Sequence, residues 1–508
     1  MKVGVYTRFW ETAGGGEVYA GTLAEVLAGD HDVELVCETE IDVHRLESRL
    51  GLRLAHLPRR EIGDVDDAAF AAATETYDLF MNCSHGSQRP NGARFGVYVV
   101  HFPDFGPAPE IPAYARVLGR LLRHGGRIEW GRGFHHEESD GVRSWRWTGG
   151  CATFKVHVPA GRRVILGLDL SKEARPPGTE ADVVVEVDGD GRWTIPAAEA
   201  RGSLVMPMSG GGQPVTVTIT TPTFSPRTTF GVDDPRELGV QLERLFLHRA
   251  GLAGVVTRRL PAAATEPKAH EFLGSYHAVV SNSPFTSKWI KRRWRRASTL
   301  IEPPVRLRSA GPKSHLILTV GRFFARGSGH SKHQLEMVRA FGALSQQVPG
   351  WELHIVGGCS DVDRPYLDLV REEVGGLPVS LHVNAPVDEL DDLYERAAIY
   401  WHAAGLHEDV DQHPERMEHF GISVVEAMSA GVVPVVVAAG GPADIVRPGL
   451  DGLHFHTEAE LVSQTIRLVR EEELRSRMSA SSRDRASEFG RDRFEAKVRA
   501  LVADACRP

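Results

Sequence analysis

The sequence predicts an α/β protein made of two Rossmann-like, doubly wound domains, with an antiparallel β-sandwich inserted into the first. Apolar strands alternate with amphipathic helices along residues 1–134 and 227–305, and again along residues 306–490, which is typical of parallel sheets covered on both faces. Residues 135–226 instead alternate between apolar and polar side chains with a period of two, as antiparallel sandwiches do. We expect residues 491–508 to form a helix that crosses back to the N-terminal domain.

The first domain is predicted from its apolar runs. Strands are expected at "KVGVY", "VELVC", "YDLFMNC" and "FGVYVV", and a helix at "GEVYAGTLAEVLAG". After the insert we expect a helix at "DPRELGVQLERLFLHRAG", a strand at "HAVVSNS" and a second helix at "SPFTSKWIKRRWRR".

The insert and the second domain differ in their periodicity. Period-two runs predict strands at "TFKVHV", "VILGLDL" and "VTVTITT", and two strands about a Gly-rich turn in "DVVVEVDGDGRWTI". The second domain follows a Pro- and Gly-rich linker near Glu302–Pro312, which we expect to act as a hinge. Its strands are predicted at "HLILTVGRF", "WELHIVGG", "VSLHVN", "AIYWHAAG", "VPVVVA" and "GLHF".

The composition narrows the class of protein. Hydrophobic residues make up 42% of the 508 residues and charged residues 25%, as in ordinary globular proteins. A net charge of −8 argues against a chain-wide nucleic-acid surface, so no nucleic-acid partner is expected. The five cysteines are far apart and fit neither a zinc site nor a disulfide framework, and no apolar run reaches the ~18 residues of a membrane span. We therefore expect a cytoplasmic location.

In open parallel sheets, ligands bind beyond the carboxyl ends of the strands. Gly14, Gly15 and Gly16 lie where the first strand turns into a helix, so their backbone could approach a ligand closely. Their spacing is not that of the GxGxxG motif, and a plain tight turn explains them equally well. His101 ends a buried strand and could act as an acid–base group, although a lone histidine is more often structural.

Two cations follow the first strand of the second domain. Arg322 comes directly after that strand, and Lys332 lies beside the start of the next predicted helix. Two cations and a helix N-terminus at one place would stabilise a diphosphate, particularly one that gains charge as it leaves. The alternative is that both are solvated surface side chains.

The stretch "EHFGISVVEAMSAG" holds two carboxylates, Glu418 and Glu426. Glu426 is the only charged residue among the 24 that begin at Phe420, so we expect it to be partly buried, which is costly unless the carboxylate is paired or bound. Phe420, Gly421 and Ile422 would offer unpaired N–H groups at the helix start. For Glu426, ribose hydroxyls and a structural pair with an arginine or lysine both stay open as partners.

These segments resemble a known family. The E-x7-E spacing of Glu418 and Glu426 resembles the signature of the retaining family-4 glycosyltransferases with the GT-B fold. "HFGISVVEAMSAGVVPVVVAAGGPADIV", "VGRF…SKHQLEMVRAF", "VVSNSPFTSKWI" and "GGGE" resemble segments of this family in the same order. The C-terminal half is similar to lipid-linked mannosyltransferases, whereas the β insert is not covered.

The resemblance implies that a hexose is transferred, with retention, from a GDP- or UDP-linked donor to a glycan or lipid-linked acceptor. Glu418 would contact the transferred sugar and Glu426 the nucleotide ribose. Arg322 and Lys332 would neutralise the leaving diphosphate.

The resemblance also assigns backbone groups to the donor. The amides of Phe420 to Ile422 and the Gly440–Gly441 turn would help to bind the diphosphate. Gly14 to Gly16 would close over the donor from the other domain, with His101 near the sugar and acceptor. We expect no cofactor and no metal, since cationic side chains and helix dipoles can stabilise the diphosphate.

Two questions stay open. The helix at 285–297 is basic and aromatic, so it could rest on the inner face of an anionic membrane, or pack its aromatic side chains on the sheet. The rival to a transferase is a catalytically idle protein that binds glycans through the β-sandwich.

Overall fold

The computed structural model describes residues 1–12, 14–63, 65–103, 126–139, 144–176, 178–189, 191–230, 236–249, 271–324 and 331–505. The strands are β1 (Lys2–Tyr6), β2 (Asp32–Cys37), β3 (Arg59–Glu61), β4 (Leu79–Asn82), β5 (Phe95–Val100), β6 (Arg127–Trp130), β7 (Phe134–Ser139), β8 (Ser144–Thr148), β9 (Cys151–His157), β10 (Arg163–Ser171), β11 (Val183–Val187), β12 (Gly191–Ile195), β13 (Arg201–Ser209), β14 (Val215–Thr220), β15 (Gln241–Arg249), β16 (Ala278–Ser281), β17 (Thr299–Leu300), β18 (Leu316–Val320), β19 (Glu352–Gly357), β20 (Val379–Val383), β21 (Ile399–His402), β22 (Val433–Val437) and β23 (Leu453–Phe455).

The α-helices are α1 (Gly15–Ala28), α2 (Val43–Leu50), α3 (Asp67–Thr74), α4 (Pro226–Phe230), α5 (Pro284–Trp294), α6 (Gln334–Ser345), α7 (Arg364–Val374), α8 (Val387–Arg396), α9 (Ile422–Ser429), α10 (Gly440–Ile445), α11 (Glu458–Arg470), α12 (Glu472–Ala486) and α13 (Arg491–Ala505).

The first lobe is built on a parallel sheet with strand order β17–β16–β5–β4–β1–β2–β3. Apolar clusters cover both of its faces, as expected for continuous apolar strands. Helix α13 packs into one of these clusters, where the Phe494 ring meets the Tyr19 ring of α1 edge to face with centroids 5.0 Å apart. The last described helix therefore completes the core of the first lobe.

Two antiparallel sheets lie between the strands of the first lobe in the sequence. Their strand orders are β13–β10–β15–β8–β7 and β12–β11–β14–β9–β6. Side chains of both sheets, among them Leu166 and Leu168 from one and Val185 and Val217 from the other, form one buried apolar cluster. The strands run from residue 127 to residue 249, so the antiparallel region is wider than the predicted 135–226.

The helix predicted over residues 234–251 is wrong where the structure describes that segment, because β15 occupies half of it; residues 234, 235, 250 and 251 lie outside the described residues. The register of β15 against β10 shifts between Asp169 and Leu170, which places a bulge in the strand. A bulge breaks the strict alternation, so the inward-facing Leu242 and Leu245 are three residues apart. That spacing is the one by which a helix is recognised in a sequence.

The second lobe has a parallel sheet with strand order β20–β19–β18–β21–β22–β23, and all six strands predicted from the sequence are confirmed. The chain crosses between the lobes twice. The two crossings lie side by side at Val305 and Gly490, where the Val305 N–H donates to the Phe489 carbonyl at 3.0 Å.

The aromatic side chains of helix α5 are buried in the protein. Phe285, Trp289 and Trp294 are 6%, 3% and 8% exposed, so they pack within the protein rather than offering an aromatic surface to a membrane. None of the helices in the described segments is long and apolar enough to traverse a bilayer.

Candidate active site

The glycine turn of the first lobe lies directly opposite the start of helix α9. A Cβ atom added to Gly15 would lie 3.2 Å from Cδ1 of Ile422, and one added to Gly16 would lie 3.4 Å from Nε2 of His101. Larger side chains would have to displace these neighbours. The structure thus brings together four of the predicted site residues, three from the first lobe and one, Ile422, from the second.

Gly14 and His101 also have partners inside the first lobe. The Gly14 N–H donates to Oε2 of Glu17 at 2.9 Å, which stabilises the turn itself. The His101 ring lies with Nε2 3.2 Å from the Cys83 carbonyl oxygen and packs edge to face on Tyr19. These contacts are the structural roles that the sequence left open for both residues, and they hold the His101 ring at the border of the glycine turn.

Glu418 is the centre of a charged cluster in the second lobe. Its Oε2 atom bonds with Nζ of Lys332 and lies 3.3 Å from Nε2 of His402. The side chains of Glu418 and Lys332 are 21% and 20% exposed, while His402 is 3% exposed. Burial raises the pKa of Glu418, but Lys332 and His402 together hold that pKa well below its usual range. The carboxylate is therefore ionised at neutral pH.

His402 was missed by the sequence analysis, although it ends strand β21 just as His101 follows strand β5. Burial lowers the pKa of His402, and Glu418 acts against that effect. A neutral imidazole with its Nε2 proton directed at Glu418 fits this arrangement. A histidine at the end of a buried strand was the available signal.

Lys332 and Arg322 both lie near the carboxyl end of β18, but in different surroundings. The Lys332 side chain crosses Gly321 so closely that an added Cβ atom would lie 2.7 Å from its Cγ. His333, with a left-handed φ of 56°, then caps helix α6. Arg322 is exposed, lies over the Phe324 ring at 5.9 Å and forms no ion pair with any residue that the structure describes. Arg322 is thus available to an anion from solvent.

The start of helix α9 presents backbone donors. Gly421 caps the helix with a φ of 106°, and no described residue accepts from the backbone N–H groups of Phe420, Gly421 or Ile422. Unpaired N–H groups and the helix dipole favour an anion at this place.

The Gly440–Gly441 turn supports the same loop from behind. The Gly441 N–H donates to the Glu418 carbonyl oxygen at 2.7 Å, so this amide is already used. A Cβ atom on Gly441 would lie 2.5 Å from both the His419 carbonyl oxygen and Cα of Phe420. The turn therefore shapes residues 418–420, and the Gly441 N–H is already donated within the protein.

Glu426 has the structural partner that the sequence left open as an alternative. Its Oε1 atom accepts from Arg308 at 2.6 Å, and its Oε2 atom accepts from the Tyr394 hydroxyl at 3.1 Å. The Arg308 guanidinium also lies 4.5 Å from the centroid of the Tyr394 ring. Glu426 is 14% exposed, which leaves a small part of its side chain open to solvent. Arg308 lies in the linker, far from Glu426 in sequence, so no local pattern could reveal the pair.

Two aromatic rings join the lobes beside this cluster. The Phe102 ring of the first lobe stacks on the His419 ring of the second, with centroids 4.1 Å apart and planes 10° from parallel. Phe285 of helix α5 lies against the same pair. Across the described segments, no group of three or more His, Cys, Asp or Glu side chains is arranged to hold a metal ion.

Among known protein families, one matches the second lobe. Residues 308–485 match the family model described as "Glycosyl transferases group 1". The chain is 26% identical over 254 residues to the GDP-Man:Man(3)GlcNAc(2)-PP-Dol alpha-1,2-mannosyltransferase of Dictyostelium discoideum, covering 45% of this chain and 47% of that protein. It is 31% identical over 214 residues to the Homo sapiens enzyme of the same name, covering 39% and 40%. The matched region is thus less than half the length of these relatives.

Solved structures resemble the chain over nearly its full length. The Anabaena protein HepE, in complex with UDP, is 12% identical and superposes with a TM-score of 0.51 over 99% of each chain. A glycosyltransferase from Rickettsia africae is 11% identical, with a TM-score of 0.52 over 100% of this chain and 98% of the other. At this level of identity the likeness shows the fold alone. Residues 308–485 therefore match a glycosyltransferase group 1 domain, the chain is similar in sequence to α-1,2-mannosyltransferases over less than half of their length, and its fold is the GT-B fold of the solved glycosyltransferases.

Proposed function

We propose that this protein is a retaining, metal-independent hexosyltransferase that moves a sugar from a GDP- or UDP-linked donor to a glycan or a lipid-linked saccharide. One observation supports this proposal above the others: the ionised Glu418, with Lys332 and His402, lies next to the unpaired amides at the start of helix α9. Gly15 of the first lobe faces that helix start. A donor held there would lie between the two lobes.

The helix start is the proposed diphosphate site. The amides of Phe420, Gly421 and Ile422 would donate to phosphate oxygens, and Arg322 and Lys332 would balance the charge that develops as the diphosphate leaves. Exposed Arg322 can move to the phosphate from solvent. Lys332 would keep its contact with Glu418 or share its donors between the carboxylate and a phosphate, since an ammonium group has three.

Glu418 is the proposed sugar-binding carboxylate. Because Lys332 and His402 keep it ionised, it can accept hydrogen bonds from sugar hydroxyls next to the diphosphate. In the proposed reaction the acceptor hydroxyl oxygen bonds to the anomeric carbon on the face from which the C–O bond to phosphate breaks. The electron pair of that bond leaves with the diphosphate, whose oxygen takes the acceptor proton, and the configuration is retained.

Glu426 is proposed to accept hydrogen bonds from the ribose while it keeps its ion pair with Arg308. A carboxylate has about four acceptor positions, and Arg308 and Tyr394 use two of them. The names of the relatives contain GDP-mannose and a dolichol-linked acceptor, and the HepE structure contains UDP. We therefore keep both bases in the proposal. The cytoplasmic location expected from the sequence stays a prediction, as does contact with the inner face of a membrane.

A panel of nucleotide sugars, with release of the nucleoside diphosphate as the readout, tests the proposal. We expect slow release from one donor, and a loss of at least about tenfold in Glu418→Gln, Arg322→Ala and Lys332→Ala. Arg192→Ala, in a strand of the antiparallel region and 67% exposed, is the matched control. No release from any GDP- or UDP-linked hexose, together with glycan binding by the intact protein, would favour the idle glycan-binding protein instead.

A further inference from the structure

Helix α5 belongs to the first lobe, yet its basic face meets carboxylates of the second. Nη1 of Arg292 lies 2.6 Å from Oδ1 of Asp411, and Nη2 of Arg293 lies 3.2 Å from Oε2 of Glu415. At the other end of the helix, burial raises the pKa of the Asp444 carboxyl, and the nearby Phe285 N–H acts against that effect. The charge of the helix is therefore matched by a partner inside the same chain.

The two adjacent arginines differ sharply in their surroundings. The Arg292 side chain is 53% exposed, and such surface pairs contribute little to stability. The Arg293 side chain is 9% exposed and also donates through Nη1 to the Pro103 carbonyl oxygen at 2.7 Å. Its guanidinium lies over the rings of Phe102 and Trp289, 5.3 Å from each centroid. A buried guanidinium with fixed partners on both sides holds those partners in one geometry.

Both partners of Arg293 lead directly to the candidate active site. Pro103 is two residues after His101, and Glu415 is three residues before Glu418. Next to Pro103 and Glu415, the Phe102 ring of the first lobe also stacks on the His419 ring of the second. The Glu418 loop of the second lobe and the His101 loop of the first are thus joined by the Arg293 side chain and by these two rings.

We infer that Arg293 is a positioning residue: it fixes residues 415–420, and with them Glu418 and the amide of Phe420, against the His101 loop. The inference rests on the proposed function for its catalytic meaning, but the fastening itself is independent of any activity. It also gives helix α5 a role that needs no membrane.

Hydrogen exchange on the full-length protein tests the fastening without substrate. In Arg293→Met, the guanidinium donors are lost, and we expect the hydrogen-bonded amides of Arg416 and Met417 to exchange at least about tenfold faster than in the unmodified protein. The neighbouring Arg292→Met is the matched control and should change these rates less than twofold. Arg293→Lys should restore part of the protection, because one charge remains without the forked geometry.

Steady-state kinetics then test whether the contacts of Arg293 affect the reaction. Because a displaced Glu418 loop carries the Phe420 amide with it, Arg293→Met should lower kcat by about tenfold or more and also raise the donor KM. Arg293→Lys should recover part of both losses, and Arg292→Met should change neither by more than about twofold. Glu415→Gln, which weakens the same contact from the other lobe, should have a smaller effect in the same direction. If Arg293→Met does not fold, Glu415→Gln carries the exchange measurement by itself.

The outcomes separate the two claims. Equal exchange in Arg293→Met and Arg292→Met, or unchanged exchange in Glu415→Gln when it replaces the first variant, would overturn the inference. If the unmodified protein consumes no donor, the proposed function fails, while the exchange rates still decide whether Arg293 fastens the loop.

Discussion

The guanidinium of Arg308 donates to the carboxylate of Glu426 across 2.6 Å, which ties the linker between the lobes to a helix of the second lobe. Burial raises the pKa of Glu426, and Arg308 acts against that effect. The Arg308 N–H also donates to Oγ of Ser429 at 2.9 Å. With Arg308 held at both its backbone and its side chain, bending between the lobes is expected before this residue, in the N-terminal part of the predicted hinge.

The first prediction concerns this pair. Arg308→Met should lower the free energy of unfolding by about 3 kcal/mol, since the Glu426 carboxylate is left buried without its cation. Urea unfolding at pH 7 measures the change. Arg306→Met is the matched control: Arg306 pairs with Asp391 of helix α8, which Arg308 contacts as well, but the Arg306 side chain is 63% exposed, so the cost should be below about 1 kcal/mol. Similar losses in the two variants would show that burial of the pair does not matter.

The second prediction is a pH dependence caused by Glu418. A carboxyl group whose pKa is depressed in the folded state contributes stability above its unfolded pKa of about 4.3, and this contribution is lost as the pH falls through the folded value. Glu418→Gln should therefore unfold about 1–3 kcal/mol more easily at pH 7, with a difference that shrinks below about pH 4.

Unfolding curves between pH 7 and pH 3 measure this difference. Asp392→Asn, which removes a carboxylate that is 57% exposed in an ion pair of helix α8, provides the comparison and should show little dependence on pH. A Glu418→Gln difference that stays constant down to pH 3 would mean that Lys332 and His402 do not stabilise the carboxylate.

The third prediction tests the close packing behind the Glu418 loop. In Gly441→Ala, the new Cβ atom would lie 2.5 Å from the His419 carbonyl oxygen, so the loop must move and the helix-start amides move with it. We expect binding of GDP and UDP, measured by calorimetry, to weaken by at least about tenfold. Gly376→Ala is the control, since nothing lies within 4 Å of the added atom. Unchanged binding in Gly441→Ala would contradict the supporting role of this turn.

The fourth prediction concerns the helix that returns to the first lobe. Phe494 is 2% exposed and packs on Tyr19, so Phe494→Ala should cost about 3–5 kcal/mol by leaving a cavity in that core. Its exposed neighbour Arg493 provides the control, and Arg493→Ala should change the unfolding free energy by less than about 0.5 kcal/mol. Equal thermal unfolding of both variants would show that the helix adds little to the core.

The sequence predicted those elements in which local pattern and tertiary environment agree. Strands β18, β21 and β22 of the second lobe are mostly apolar runs buried on both faces, so their burial follows from composition. The same reasoning located Glu418 and the start of helix α9. It failed at strand β15, where the bulge opposite Leu170 produced a helical spacing of leucines.

The sequence could not supply the partners of the site residues. Glu426 was expected to need something polar, but Arg308 is 118 residues away, and only the fold brings the two together. The stacking of Phe102 on His419 likewise joins residues of different lobes. The basic face of helix α5 was visible in the sequence, whereas the carboxylates that it meets were not.

The return of helix α13 to the first lobe has a consequence for synthesis on the ribosome. Tyr19 and Leu23 emerge early, but the side chains of Phe494 and Val498 that cover them are translated only after the whole second lobe. Until helix α13 is synthesised, part of the apolar core of the first lobe stays uncovered. Residues 306–486, by contrast, contain the sheet and helices that form the core of the second lobe. The second lobe would then complete its folding before the first, although the first is synthesised earlier.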